Sequence, residues 1–155
     1  MAKKLLQHER AAMSKFSEGA APSLDALAVA RPYLVDDTGA LREPVWRDRL
    51  AALLMDAQAF ALTHQRVMAG ALARQDVSSP STLMKLVQTE QEVAKYELLM
   101  QLMGQRGLAW DSDDATRDEH DTVRQWLLSK TYTIAGGSSE IQLNLIARRV
   151  LGLPG

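Results

Sequence analysis

The sequence predicts an all-α fold, an up-and-down antiparallel helical bundle in one domain spanning residues 1–155. Three observations lead there. β-Branched residues are sparse, and no stretch alternates convincingly with period two. Apolar residues recur instead at helical spacing along several long segments. Turn signals rich in Asp, Ser, Gly and Pro separate those segments.

Leu5, Leu6, Ala12, Met13 and Phe16 give a first helix, followed by a less regular segment through Pro22 and Pro32. The run VDDTGALREP from Val35 reads as a polar, turn-rich loop. Pro44 suits a first helical turn. From there Trp46, Leu50, Leu53, Ala57, Phe60, His64, Val67 and Ala71 recur at steps of four and three, with Arg47, Asp48, Arg49, Asp56 and Arg66 off the stripe. A turn at Asp76–Pro80 offers Ser78 or Ser79 as cap of the next helix, expected from about Ser81 to Met103. That helix has two stripes: Leu86, Val93, Tyr96, Met100 and Met103, and beside it Met84, Val87, Ala94, Leu98 and Leu102. Two stripes predict more than one partner helix, and Gly104 and Gly107 end the run. The acidic stretch DSDDATRDEHD leads into a helix bearing Val123, Trp126, Leu127 and Thr131. A last helix carries Ile141, Leu145, Ile146, Val150 and Leu151, stopped by Gly152 and Pro154.

At 155 residues and 17.1 kDa the chain has room for one real core. Its 18 Lys and Arg balance 19 Asp and Glu, so no basic footprint for nucleic acid or acidic membranes is present. No apolar run approaches the roughly 18 residues that cross a bilayer. The opening MAKKLLQHERAAMSKF is interrupted by Gln7, His8, Glu9 and Arg10 and does not resemble a signal peptide. Without cysteine there are no disulfides, Cys-based zinc sites or Cys nucleophiles, and a cytoplasmic protein is expected. No metal site is expected. His64 has no His or carboxylate three or four residues away, and reads as a half-buried histidine satisfied by its neighbours. The acidic stretch imitates a calcium loop at its start, but Thr116 and Thr122 stand where glycine and glutamate belong. Its carboxylates suit the positive end of a helix dipole instead.

The break TIAGGSSE raises the functional question. Gly136 and Gly137 permit backbone conformations closed to other residues. Ser138 or Ser139 then caps the last helix, with Glu140 in its first turn. Such a corner is either a plain helix–helix turn or a site for phosphate or pyrophosphate, and spacing alone leaves both open.

The stretch TIAGGSSEIQLNLIARRVLGLP closely resembles the C-terminal signature of the acyl-CoA dehydrogenase superfamily. A second match lies at the other end, where AKKLLQHER resembles the start of the family's C-terminal helical domain. STLMKL at Ser81–Leu86 and the helix leading to Gly107-Leu108 fit more weakly. The resemblance spans nearly the whole chain and one of the family's three domains, so the family's N-terminal helical and middle β-domains are expected to be absent. It implies FAD as cofactor and oxidation of an acyl-CoA thioester to the trans-2-enoyl-CoA. It also implies a homo-oligomer or a partner chain carrying the other domains, and electron-transfer flavoprotein as electron acceptor. Gly136, Gly137, Ser138 and Glu140 take the family's flavin-contacting positions. Many members carry the catalytic glutamate where this chain has Gly136; a minority carry it on the first helix, at the position of Glu9. Glu9 is therefore the candidate base. The chain by itself is expected to be inactive, because the wall opposite the base comes from elsewhere. The other reading is a non-catalytic helical module for oligomerisation or interaction derived from that family.

Overall fold

The computed structural model of the chain describes residues 22–75, 78–108 and 112–154. The expected first helix, Glu9 with it, lies outside the described residues, as do the side chains of Ser78 and Ser79. The described residues form five α-helices: α1 (Pro22–Leu34), α2 (Pro44–Leu72), α3 (Ser78–Met103), α4 (Arg117–Tyr132) and α5 (Ser139–Leu145). A 3₁₀ turn at Gly104–Leu108 follows α3, and a π turn at Ile146–Val150 follows α5. No strand occurs among the described residues, only an isolated antiparallel bridge between Val35 and Leu41. The fold is the all-α bundle the sequence predicts.

Its direction is written in side-chain bonds. Arg49 donates to Gln101 (2.7 Å), and Gln91 donates to the Asp56 carbonyl (3.1 Å), so α2 and α3 run antiparallel. Arg106 pairs with Glu119, Lys130 with Glu97, and Lys85 with the Tyr132 carbonyl, so α3 and α4 do as well. Helix α3 packs against every other described element.

Two expectations are corrected. The segment through Pro22 and Pro32 is a helix, not irregular chain. Pro22 sits in its first turn, where the missing N–H is no loss, and Pro32 lies in its last turn, too late to break it. Ala26, Ala30 and Leu34 form its buried face. The final helix does not stay α-helical to Leu151: at Ile146 it widens, and the Leu151 N–H donates to the Ile146 carbonyl (3.0 Å).

The α2 stripe is borne out as far as Val67, since every member from Trp46 is buried or half-buried while the named charged residues are exposed. His64 is half-buried with its ring stacked on Phe60. Beyond Leu54 the other faces of α2 are open, and Met55, Leu62, Met68 and Leu72 are exposed. The dry core gathers Ala30, Leu34, Leu50, Leu98 and Leu99, with Trp46, Leu53, Tyr96 and Leu102 against it. Leu99, only 2% exposed, belonged to neither predicted stripe of α3. Leu127, Ile141 and Leu151, named from the sequence among the apolar residues of the last two helices, are exposed; Thr122, Ser129 and Gln142 are buried instead.

The start of α4 shows why the acidic stretch is there. Thr116 and Glu119 form a capping box, the Glu119 carboxylate accepting from the Thr116 N–H (2.7 Å). The same carboxylate is 3% exposed, pairs with Arg106, and accepts from the Tyr33 hydroxyl (2.5 Å). One buried carboxylate thus ties together α1, the 3₁₀ turn and α4. Arg106 foremost holds the Glu119 carboxyl down to about 2, and burial, aided by Glu119, pushes the Tyr33 hydroxyl up to about 12.

Because Glu119 ionises more easily folded than unfolded, its contribution is present above the ordinary glutamate pKa of 4.5 and fades as pH falls toward about 2. Urea titrations across that window are expected to show a steep acid limb that flattens in Glu119→Gln. Glu119→Ala, which takes the acceptor from the Tyr33 hydroxyl and the Thr116 N–H, is expected to cost about 1–3 kcal/mol at neutral pH. An unchanged acid limb in Glu119→Gln would place the acid sensitivity on another carboxylate.

Candidate functional site

The corner between α4 and α5 is built by a run of local backbone bonds. The Ala135 N–H closes the last turn of α4 on the Thr131 carbonyl (2.9 Å). Gly136 and Gly137 then take φ of +69° and +110°, in the left-handed region. The chain returns when the Ser139 N–H donates to the Thr133 carbonyl (3.1 Å). Ser138 occupies the cap position of α5 as expected, but its side chain makes no capping bond; its hydroxyl serves Glu140, holding that exposed carboxyl below the usual range. The Ser139 hydroxyl donates to the Glu90 carboxylate (2.5 Å) on α3.

Helix α3 grips the corner a second time. The Lys85 ammonium donates to the Gly137 carbonyl (2.7 Å) and to the Tyr132 carbonyl (3.3 Å) at the end of α4. Burial pulls the Lys85 pKa below its ordinary value, while the charge of Glu90 works against that shift. From within α5, the buried Gln142 amide donates to the Gly136 carbonyl at 3.3 Å. A methyl group at Gly136 would find open space, its nearest neighbour being the Lys85 side chain at 3.9 Å; one at Gly137 would sit 2.8 Å from the Gln142 amide nitrogen.

Of the predicted site residues, the structure brings Gly136, Gly137, Ser138 and Glu140 together on one half-open corner. Glu9 lies outside the described residues. Lys85, Glu90 and Gln142 were not singled out as site residues; Lys85 lies in the STLMKL stretch and Gln142 in the TIAGGSSEIQLNLIARRVLGLP stretch, while Glu90 had no sequence signal. The corner's spare charge is acidic, because Lys85 is committed to carbonyl oxygens while the Glu140 carboxylate is exposed. Such a surface accepts hydrogen bonds from hydroxyl groups more readily than it holds phosphate. A separate cavity of about 140 Å³ between α1, α3 and α4, lined by Val29, Lys95, Tyr96, Thr122 and Gln125, is well below the roughly 300 Å³ of a typical ligand pocket. Among the described residues no three His, Asp or Glu side chains gather as metal ligands, and no helix is long and apolar enough to cross a membrane.

Fold and corner together define an all-α domain whose last two helices meet at a glycine pair with positive φ. A sequence model described as acyl-CoA dehydrogenase, C-terminal domain, matches residues 1–151, and the chain belongs to that family. It is 31% identical over 154 residues to the acyl-CoA dehydrogenase FadE34 of Mycobacterium tuberculosis, which covers 99% of this chain and 19% of that protein. It is 37% identical over 123 residues to the acyl-CoA dehydrogenase IpdE1 of Mycolicibacterium smegmatis, covering 78% of this chain and 29% of the relative. The chain therefore spans less than a third of the length of these relatives.

Left-handed backbone makes the glycines hard to replace. Gly137→Ala is expected to destabilise the fold by about 1–3 kcal/mol, and Gly136→Ala, with open space around it, by the lower end of that range. Thermal melts of the two variants check the order; equal and negligible losses would mean that the corner is not held in this conformation.

Proposed function

We propose that this chain acts as the C-terminal helical domain of an FAD-dependent acyl-CoA dehydrogenase, oxidising an acyl-CoA thioester to the trans-2-enoyl-CoA. The observation that carries the reading is the Gly136–Gly137 corner, held in left-handed backbone and presenting Ser138 and Glu140 beside it. These residues fit the hydroxyl-bearing part of FAD: the Glu140 carboxylate accepts from sugar hydroxyls, and neither glycine has a Cβ to block approach. When bound, FAD supplies the acceptor for the hydride that leaves the β-carbon. Glu9 takes the α-proton as general base, and burial against the acyl chain would raise its pKa toward neutrality. The acyl-CoA site needs walls this chain does not contribute, so the isolated chain is inactive. It works in a homo-oligomer or with a partner chain carrying the other domains, in the cytoplasm, and passes its electrons to an electron-transfer flavoprotein.

A second reading, a non-catalytic module for helical assembly, is favoured by the open apolar side of α2 at Met55, Leu62, Met68 and Leu72. Absorption spectroscopy of the chain with excess FAD, run through a sizing column, separates the two. Flavin absorbance is expected in a peak larger than a monomer. A colourless oligomer favours the assembly module.

In an enzyme assembled with the family's other domains, Glu9→Gln is expected to lower turnover on the order of 100- to 10,000-fold with folding intact. Turnover within a few-fold of wild type would move the base to another residue.

A further inference from the structure

We infer that Lys85 is the positioning residue of the corner, fixing the Gly136–Gly137 backbone from outside the segment that contacts the cofactor. The inference rests on the flavin reading for its purpose, but its structural basis is independent of it. Gly136 and Gly137 are the pivot between α4 and α5, and glycine is the residue least able to hold one conformation by itself. Inside the corner the holds are local backbone bonds, the Gly137 N–H on the Ile134 carbonyl (3.3 Å) and the Ser139 N–H on the Thr133 carbonyl (3.1 Å). Ser138 makes no side-chain cap, and the Gln142 amide reaches the Gly136 and Gly137 carbonyls at 3.3 and 3.5 Å. The short contact is the ammonium of Lys85, 2.7 Å from the Gly137 oxygen.

Its second acceptor, the Tyr132 carbonyl, belongs to the end of α4. One cation therefore bridges the peptide before the pivot and the peptide within it, and cations at helix C-termini are stabilised by the helix dipole. The stem of Lys85 runs beside Gly136, where a larger residue's side chain would otherwise lie. Its ammonium is half-buried and charge-assisted, so these bonds are stronger than neutral ones. The Ser139–Glu90 bond on the other side is exposed and holds α5, not the pivot.

The test is hydrogen–deuterium exchange by mass spectrometry on residues 133–145, with flavin titration and circular dichroism melts, comparing wild type with Lys85→Met, Lys85→Arg and Ser139→Ala. Lys85→Met keeps the stem and removes the donors. Its amides between 136 and 142 are expected to exchange on the order of 10- to 100-fold faster, while α3 and α4 keep their protection. FAD affinity is expected to fall in parallel. Lys85→Arg, whose guanidinium can serve two carbonyls, is expected to restore most of both. Ser139→Ala is expected to change exchange at 136–137 less than threefold. Unchanged exchange in a folded Lys85→Met would overturn the inference. So would loss of protection throughout α3 and α4, which makes Lys85 a general stabiliser of the bundle. If wild type binds no FAD, the flavin reading fails while the exchange data still decide what Lys85 does.

Discussion

Helix α3 is the post against which every other described element leans, and its burial imposes the constraint that shapes the molecule. A helix covered on several sides is usually apolar around its girth. This one carries Thr89 and Lys95, both buried, with Lys85, Glu92 and Glu97 half-buried beside them. Each must find its partner inside the bundle. Thr89 returns its hydroxyl to the Lys85 carbonyl (3.0 Å), Lys95 pairs with Glu92 (2.9 Å), and Glu97 pairs with Lys130 of α4. The bundle thereby divides. On the side of α1 and α2 the core contacts are apolar, with the Arg49–Gln101 and Gln91–Asp56 bonds at the exposed rim; on the side of α4 and α5 ion pairs and side-chain bonds to carbonyls take a larger share. Apolar contacts hold α3 in place without regard to direction, whereas the polar ones fix how its neighbours sit on it.

That division explains what the sequence could and could not disclose. The α2 stripe was legible because large apolar side chains at steps of three and four mark one face, and that face meets α3. Helix α1 was not, because its buried face runs through Ala26 and Ala30, too small to form a stripe, and reaches a large side chain only at Leu34, its last residue, and its two prolines look like breakers until their positions in the first and last turns are known. On the polar side periodicity misleads outright. Leu127 and Ile141 have the right spacing and remain exposed, while Ser129 and Gln142 are buried because their hydrogen bonds are made inside. A pattern of apolar residues says that a face exists; it does not say which neighbour needs a hydrogen bond instead.

The corner divides in the same way. Its glycines could be read because few other residues tolerate that backbone. Lys85 could not, because its partners are carbonyl oxygens 47 and 52 residues away, and a carbonyl leaves no trace in a sequence. Glu119 falls between the two. The spacing from Thr116 to Glu119 is a capping box in plain view, but nothing linked it to Arg106 and Tyr33.

Helix α5 shows why an outside anchor matters. Seven residues are far too few for a helix to persist in water by its own hydrogen bonds. Gln142 is its buried residue, Ile146 at the start of the π turn is buried just after it, and Ile141 and Leu143 are exposed. Its existence therefore depends on where the preceding turn delivers it. If the glycine pivot were loose, the buried pair would lose its seat and the helix with it. The hold that α3 keeps on the Gly137 carbonyl and on the Ser139 hydroxyl thus does two things at once: it seats the last helix, and it leaves Ser138 and Glu140 standing in a fixed relation to the glycine pair. Because that corner is half-open to solvent, the relation depends on the hold from α3 and not on enclosure by the bundle.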